Sequence, residues 1–113
     1  MIALTDGRRR RSRSVRSSAP TVIILHPDPH RLARLPTAPR FLRNARLVVA
    51  RDYSDAISAA LQGKGQVLLA DVSNLTWGAL TALYLLRRER PEIEVYLSEE
   101  RAGRAAPHVW WLP

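Results

Sequence analysis

The residue best placed to do chemistry is Asp71, whose carboxylate ends the apolar run in QVLLADVSNLT, residues 66–76. A carboxylate at the end of a buried strand can accept a phosphoryl group if a cation neutralises the charge that develops on the phosphoryl oxygens. It can also hold the loop that follows it, by accepting hydrogen bonds from that loop. The residue type and its position allow both roles.

Two other stretches contain residue types that bind metals or phosphates. HPDPH at residues 26–30 alternates His, Asp and His, but two prolines stiffen it and His108 is the only other histidine, so a closed metal site is not expected. In GKG at residues 63–65, Gln66 follows where a phosphate loop needs Ser or Thr, which predicts a turn. No spacing of Ser, His and Asp supports a catalytic triad, and we expect no enzyme activity.

The scaffold for these residues is predicted by short apolar runs that alternate with helix-like segments. The runs are brief and rich in branched residues, as are strands buried on both faces of a parallel sheet. They lie at residues 21–25, 46–50, 66–70, 95–97 and 108–112. Strands that alternate with helices at this spacing predict right-handed crossover units, and therefore an open α/β sheet.

The first predicted helix is irregular. Pro29 suits its first position with Asp28 as the cap, and Pro36 and Pro39 must break it into two short pieces.

The second and third predicted helices are more regular. Ser54 is the predicted cap of the second and Gly63 its left-handed stop, while the third runs from Thr76 to Arg90. Their predicted inward stripes are Ala56, Ile57, Ala60 and Leu61 in the second helix, and Trp77, Leu80, Leu83 and Leu86 in the third.

Length and composition limit the class of protein. With 113 residues, of which 46% are hydrophobic, the chain is the size of one domain with a substantial core. It has no cysteine, which excludes disulfides and cysteine-based metal or redox sites and fits a reducing cytoplasm. No apolar stretch approaches the roughly 20 residues that cross a bilayer. We therefore expect a soluble, cytoplasmic protein that does not contact a membrane.

The net charge of +8 is concentrated in residues 1–20, where six arginines face one aspartate, Asp6. This Arg/Ser-rich tail has few apolar residues and is expected to be disordered, next to an ordered domain at residues 21–113. It can be a solubilising extension or an electrostatic arm for nucleic acid or another acidic partner. A targeting peptide is a third interpretation, but the tail lacks an amphipathic apolar face. The arginines are Arg8, Arg9, Arg10, Arg11, Arg13 and Arg16.

Residues 21–113 resemble a response-regulator receiver domain of two-component signalling, which has a flavodoxin-like fold. The resemblance lies in order and spacing: a strand ending in Asp71, Gly78 soon after it, the helix end LLRRERP, and a fourth strand closing on Ser98. It implies an open parallel sheet of five strands in the order 2-1-3-4-5, with shortened or missing last helices. It also implies that Asp71 occupies the phosphoacceptor position and Ser98 that of the switch hydroxyl. Taken alone, Ser98 predicts the N-cap of a helical turn.

Two departures from the receiver pattern affect the same chemistry. His26 and Pro27 replace the acidic pair that holds Mg²⁺ in the family, and only the following acid, Asp28, is kept. Leu112 replaces the lysine of the family's Lys-Pro pair at strand five. One aspartate holds Mg²⁺ poorly, because this ion prefers a near-octahedral set of oxygen ligands. We therefore expect a pseudo-receiver without a metal or cofactor, in which Asp71 is a vestige that holds the loop DVSNLT.

The aromatic pair Trp110 and Trp111 predicts a docking surface. Adjacent residues of a strand point to opposite faces, and a receiver would continue into its last helix where this sequence stops, so one tryptophan is expected to lack its usual cover. The edge from strand four to strand five is the predicted surface, unless the tail or the first helix pieces cover it. Its residues are Tyr96, His108, Trp110, Trp111 and Leu112.

Three hypotheses for the function follow, in order of preference. The first is a bacterial regulatory module that works without phosphorylation, by docking a protein partner or by forming a homodimer. The second is a response regulator that is phosphorylated at Asp71 with Mg²⁺ bound. The third is a nucleic-acid-associated regulator that uses the basic tail.

Overall fold

The computed structural model describes residues 20–35, 38–100 and 108–113. Its strands are β1 (Thr21–Leu25), β2 (Arg46–Val49), β3 (Val67–Asp71), β4 (Glu94–Glu99) and β5 (His108–Leu112). Its α-helices are α1 (Pro29–Arg34), α2 (Tyr53–Leu61) and α3 (Trp77–Glu89), and short 3-10 segments cover Arg40–Leu42 and Val72–Asn74. Residues 1–19, with the six arginines of the predicted tail, and Pro36 lie outside the described residues.

The strands form one sheet in the order β2-β1-β3-β4-β5, which confirms the predicted α/β class and strand order. β1, β2, β3 and β4 are parallel, whereas β5 pairs antiparallel with β4, so the prediction of a fully parallel sheet is wrong for the last strand. Only residues 100–107 connect β4 to β5. A parallel crossover needs about a dozen residues or more, usually including a helix, so this connection is long enough only to reverse the chain.

The reversed direction of β5 corrects the expectation for Leu112. In register, Leu112 pairs with Val95 near the start of β4, whereas Asp71 pairs with Ser98 near its end. Leu112 therefore lies toward the amino-terminal ends of the parallel strands, whereas Asp71 lies at their carboxyl ends. It does not occupy the position of a receiver lysine. Its residue is 3% exposed, so it belongs to the core and not to a docking surface.

Both faces of the sheet are covered, as the near-continuous apolar runs predict. One core joins the sheet to α1 and the first 3-10 segment; it contains Val22, Ile24, Leu32, Leu42 and Leu69. The other joins the opposite face to α2 and α3; it includes Ile23, Leu68, Leu83, Leu86 and Val95. Within the described ranges, no helix is long and apolar enough to cross a bilayer.

The helix ends follow the predictions except at the start of α2. Asp28 caps α1, and Gly63 follows α2 with a left-handed φ of 76°. Ser54 is not a cap: the side chain of Asp52 accepts a hydrogen bond from the Asp55 amide at 2.8 Å, so α2 begins earlier than predicted. Aspartate and serine cap helices about equally well, and the first of the two on this stretch caps α2.

The predicted stripe of α2 is wrong at one position. Ala56 and Ala60 are buried as predicted, but Leu61 is 52% exposed and Ala59 is buried in its place.

The predicted stripe of α3 is wrong at Trp77, which is 84% exposed, while Leu83 and Leu86 are buried. An α-helix turns by about 100° per residue, so each step of three residues falls about 60° short of a full turn. From Leu86 back to Trp77 there are three such steps, which amount to about 180°. Trp77 therefore lies on the outer face of α3, opposite Leu86.

Candidate functional site

Asp71 lies at the carboxyl ends of the parallel strands, the edge at which open α/β sheets bind ligands. Two cavities meet there and share Asp71, His26, Pro27 and Ser73. The first, of about 400 Å³, is completed by Arg31, Val72, Glu99 and Glu100. The second, of about 450 Å³, is completed by Leu25, Ala50, Arg51, Asp52 and Tyr53.

The Asp71 side chain holds the loop that follows β3. Its Oδ2 accepts a hydrogen bond from the Ser73 amide at 3.1 Å and a second from the Ser73 hydroxyl. It thereby caps the 3-10 segment Val72–Asn74. This is the loop-holding role that the sequence allows for Asp71, and the oxygen that serves it is already occupied.

Tyr53, at the start of α2, forms a second contact that holds the end of β3. Its hydroxyl donates a hydrogen bond to the backbone carbonyl of Asp71. Partial burial, and then the nearby Asp71 carboxylate, raise the pKa of Tyr53 from 10.0 to about 12. The hydroxyl is therefore protonated, and able to donate, throughout the neutral range.

Replacing Tyr53 by Phe is expected to lower the free energy of unfolding by about 0.5–1.5 kcal/mol, because the Asp71 carbonyl loses its donor. Since the folded-state pKa is raised, the contribution of the hydroxyl is complete below pH 10.0 and is lost as pH rises through about 12. Urea denaturation measures the first effect, and ultraviolet titration of the phenolate measures the second. Tyr84→Phe is the matched control on an exposed face; equal effects of the two variants contradict the assignment.

His26 stands where the receiver pattern has an acid, and its side chain is only 3% exposed. Nδ1 accepts a hydrogen bond from the Asp28 amide at 2.9 Å, and Nε2 lies 2.8 Å from Oε2 of Glu100. Since Nδ1 is an acceptor, the neutral ring carries its proton on Nε2 and donates it to Glu100. Both ring nitrogens are engaged within the protein.

Arg31 of α1 closes an ion-pair network with the same glutamate. Its Nη2 lies 2.9 and 2.8 Å from the two carboxylate oxygens of Glu100. Its Nε lies 3.4 Å from Oδ2 of Asp28, whose Oδ1 accepts the Arg31 amide at 3.3 Å. The hydrogen bond with Glu100, followed by the charge of that glutamate, raises the pKa of Arg31 above its ordinary value. The charge of Arg31 is thus neutralised by two carboxylates, and Arg51, which lines the second cavity, lies 3.5 Å from the Asp55 carboxylate.

These contacts do not fit a magnesium site. Asp28 holds the start of α1 and Arg31, and Asp71 holds its own loop. In the part of the chain that the structure describes, no three His, Cys, Asp or Glu side chains converge as a metal site requires.

Ser98 pairs in register with Asp71 but is fully buried, and it does not line either cavity. Its hydroxyl has no hydrogen-bond partner among the described residues. Ser98 lies within β4, so it does not cap a helical turn as its position before two glutamates predicts. A hydroxyl in this setting is an energetic cost, because burial removes its water without supplying a partner.

The predicted docking surface is only partly exposed. Tyr96 stacks on Phe41 of the first 3-10 segment, with ring centroids 4.5 Å apart, so the pieces after α1 cover it. Trp110 packs against the core shared with α2 and α3. Of the five predicted residues, His108 is exposed and Trp111 is 53% exposed.

The structure adds an apolar surface that the sequence analysis missed. We call it the α3–β5 surface; it consists of Tyr84, Leu85, Trp111 and Pro113 with Arg87 and Arg88. Tyr84 and Leu85 are each 47% exposed, and the guanidinium carbon of Arg87 lies 5.8 Å from the centroid of the Trp111 ring. Apart from Trp111, these residues line a cavity of about 350 Å³.

The missed residues differ in whether the sequence contains a signal for them. Tyr84 and Leu85 follow Trp77 by seven and eight positions, the spacing of one helix face, so the outer stripe is readable once the helix period is applied strictly. Glu100 is 69 residues from Arg31, and no local pattern joins them.

Comparison with protein-family models, curated proteins and solved structures yields no match. The geometry is therefore the evidence on which a function can be proposed.

Proposed function

We propose that the chain is a degenerate receiver-like domain that regulates by binding a protein, without phosphorylation of Asp71. The observation that carries the proposal is the state of the acid at the phosphoacceptor position. Its carboxylate already accepts two hydrogen bonds from Ser73. A loop-holding carboxylate of this kind has a structural role of its own.

The charges at this edge support the proposal. Phosphorylation brings a dianion against an anion and needs a cation that is free to neutralise it. The guanidinium of Arg31 is bound to Glu100 and Asp28. The only lysine in the chain, Lys64, precedes β3 and so lies at the end of that strand opposite Asp71. Glu99 and Glu100 add negative charge to the cavity that Asp71 lines.

The α3–β5 surface supports binding as the alternative activity. Half-exposed tyrosine and leucine side chains line a mainly apolar cavity there, and the half-exposed Trp111 lies beside it, against Arg87. Contiguous apolar patches on soluble domains mark interaction sites, and tyrosine and tryptophan are enriched at their centres. A cytoplasmic location and a role in bacterial signalling belong to the same proposal.

Incubation of the full chain with acetyl phosphate and Mg²⁺, followed by intact-mass measurement, tests the loss of phosphotransfer. We expect no gain of phosphoryl mass, because the described arginines that line the two cavities, Arg31 and Arg51, are already paired with carboxylates. Asp71→Asn is the matched control. A gain of one phosphoryl group that Asp71→Asn abolishes would overturn the proposal in favour of a phosphorylatable regulator.

A further inference from the structure

We propose that the α3–β5 surface binds an acidic, apolar peptide segment of a partner protein. This inference rests on the proposed function and adds the chemistry of the partner. The surface combines apolar side chains with arginine charge that the described residues leave without a strong counter-ion.

The apolar part of the surface comes from two elements. Tyr84 and Leu85 are side by side on the outer half of α3, and Pro113 follows β5 and lines the same cavity. Trp111 extends the surface along β5, linked to it through Arg87. A cavity of about 350 Å³ is within the range of pockets that take ligands or anchor side chains. Leucine-sized or aromatic side chains of a partner would lose water on entering it.

The Arg87 guanidinium supplies charge that no carboxylate side chain of the described residues balances through an ion pair. It donates to three backbone carbonyls, those of Leu112 at 3.3 Å, Pro91 at 3.1 Å and Ile93 at 2.7 Å. Carbonyl dipoles fix the orientation of the group but leave its full positive charge. Elsewhere on this part of the protein the pairing is different: Arg90, three residues on, lies 2.6 Å from the Glu92 carboxylate.

Arg88 adds a second positive charge to the rim of the cavity. Its closest carboxylate in an ion pair is that of Glu89 at 4.0 Å, and both side chains are more than two thirds exposed. Such a pair contributes little and leaves Arg88 able to turn toward a partner. Arginine forks bind carboxylates well, so the rim suits Asp and Glu side chains.

A second copy of the chain is disfavoured as the occupant. In a two-fold symmetric contact the same surface of both copies is used, which would bring two Arg87 and two Arg88 side chains into one interface. The net charge of +8 on each chain adds long-range repulsion. An acidic partner gains from the same field in both rate and affinity.

Nucleic acid also carries negative charge, but the surface fits it less well. Bases need open aromatic faces on which to stack, and the Arg87 guanidinium lies close to the ring of Trp111. Leu85 and Pro113 offer only aliphatic contact. The apolar side chains therefore favour a peptide.

Selection from a random displayed peptide library against the full chain tests the proposal, followed by fluorescence anisotropy on the enriched peptides. We expect enriched peptides that combine Asp or Glu with large apolar residues. We expect Leu85→Ser and Arg88→Glu each to weaken them about tenfold, the cost of losing one interface anchor. Leu61→Ser and Arg46→Glu, exposed changes on other surfaces, are the matched controls and should leave binding unchanged.

The inference is overturned by no enrichment, by enrichment of neutral or basic peptides, by equal binding of variants and controls, or by tight binding of a single-stranded oligonucleotide that Leu85→Ser abolishes. A homodimer in sedimentation equilibrium that Leu85→Ser dissociates also overturns it. None of these results changes the phosphoryl uptake by Asp71, so failure of the inference is distinguishable from failure of the proposed function.

Discussion

Leu83→Ala is expected to lower the free energy of unfolding by about 2–5 kcal/mol, whereas Leu85→Ala, two positions along α3, should change it by less than about 0.5 kcal/mol. Leu83 is fully buried in the core between α3 and the sheet, so truncation removes apolar contacts and leaves a cavity. Leu85 is about half exposed on the outer face of the same helix. Alanine is also a slightly better helix former than leucine, which limits the loss at the exposed site.

Urea denaturation of the full-length variants, followed by far-ultraviolet circular dichroism, measures the two effects. The comparison is internally controlled because the same residue type is truncated in the same helix. Similar losses in both variants would show that α3 is rotated from its described orientation, and the α3–β5 surface would then not exist. A silent Leu85→Ala with reduced peptide binding would separate the docking face of the helix from its folding face.

The features of the fold that local periodicity determines could be predicted from the sequence. TVIIL and HVWWL are strands with the predicted ends, because each is a short apolar run next to proline or a turn. The direction of β5 is different, because the resemblance to receivers implies a parallel last strand whereas β5 pairs antiparallel with β4. The segment between Glu99 and His108 is too short for a parallel crossover, so its length alone predicts an antiparallel strand.

The candidate site divides in the same way into local and distant contacts. Asp28 and Asp71 each cap the turn that follows them, and their sequence neighbours suffice to predict this. The contacts of Glu100 with His26 and Arg31 join residues from the two ends of the domain. They depend on the strand order, which places only β3 between the carboxyl ends of β1 and β4. The local sequence pattern alone does not predict these contacts.

Ser98 is the residue at which the expectation from the receiver resemblance can be compared directly with the structure. If this hydroxyl were part of a working switch, it would need access to the group at Asp71. In the structure it is paired with Asp71 in register but buried, without a partner among the described residues. Ser98 therefore has the register expected of a switch hydroxyl without the access to Asp71 that a switch needs.

Ser98→Ala is therefore expected to raise the free energy of unfolding by about 1–2 kcal/mol, because it removes a buried hydroxyl that has lost its water and has no partner among the described residues. Ser73→Ala is the matched control and should have the opposite sign, with a loss of about 1 kcal/mol, since the Ser73 hydroxyl donates to Asp71. Chemical denaturation of both variants gives the two signs directly. Destabilisation by Ser98→Ala would mean that the hydroxyl has a hydrogen-bond partner in solution and contributes to the stability of β4.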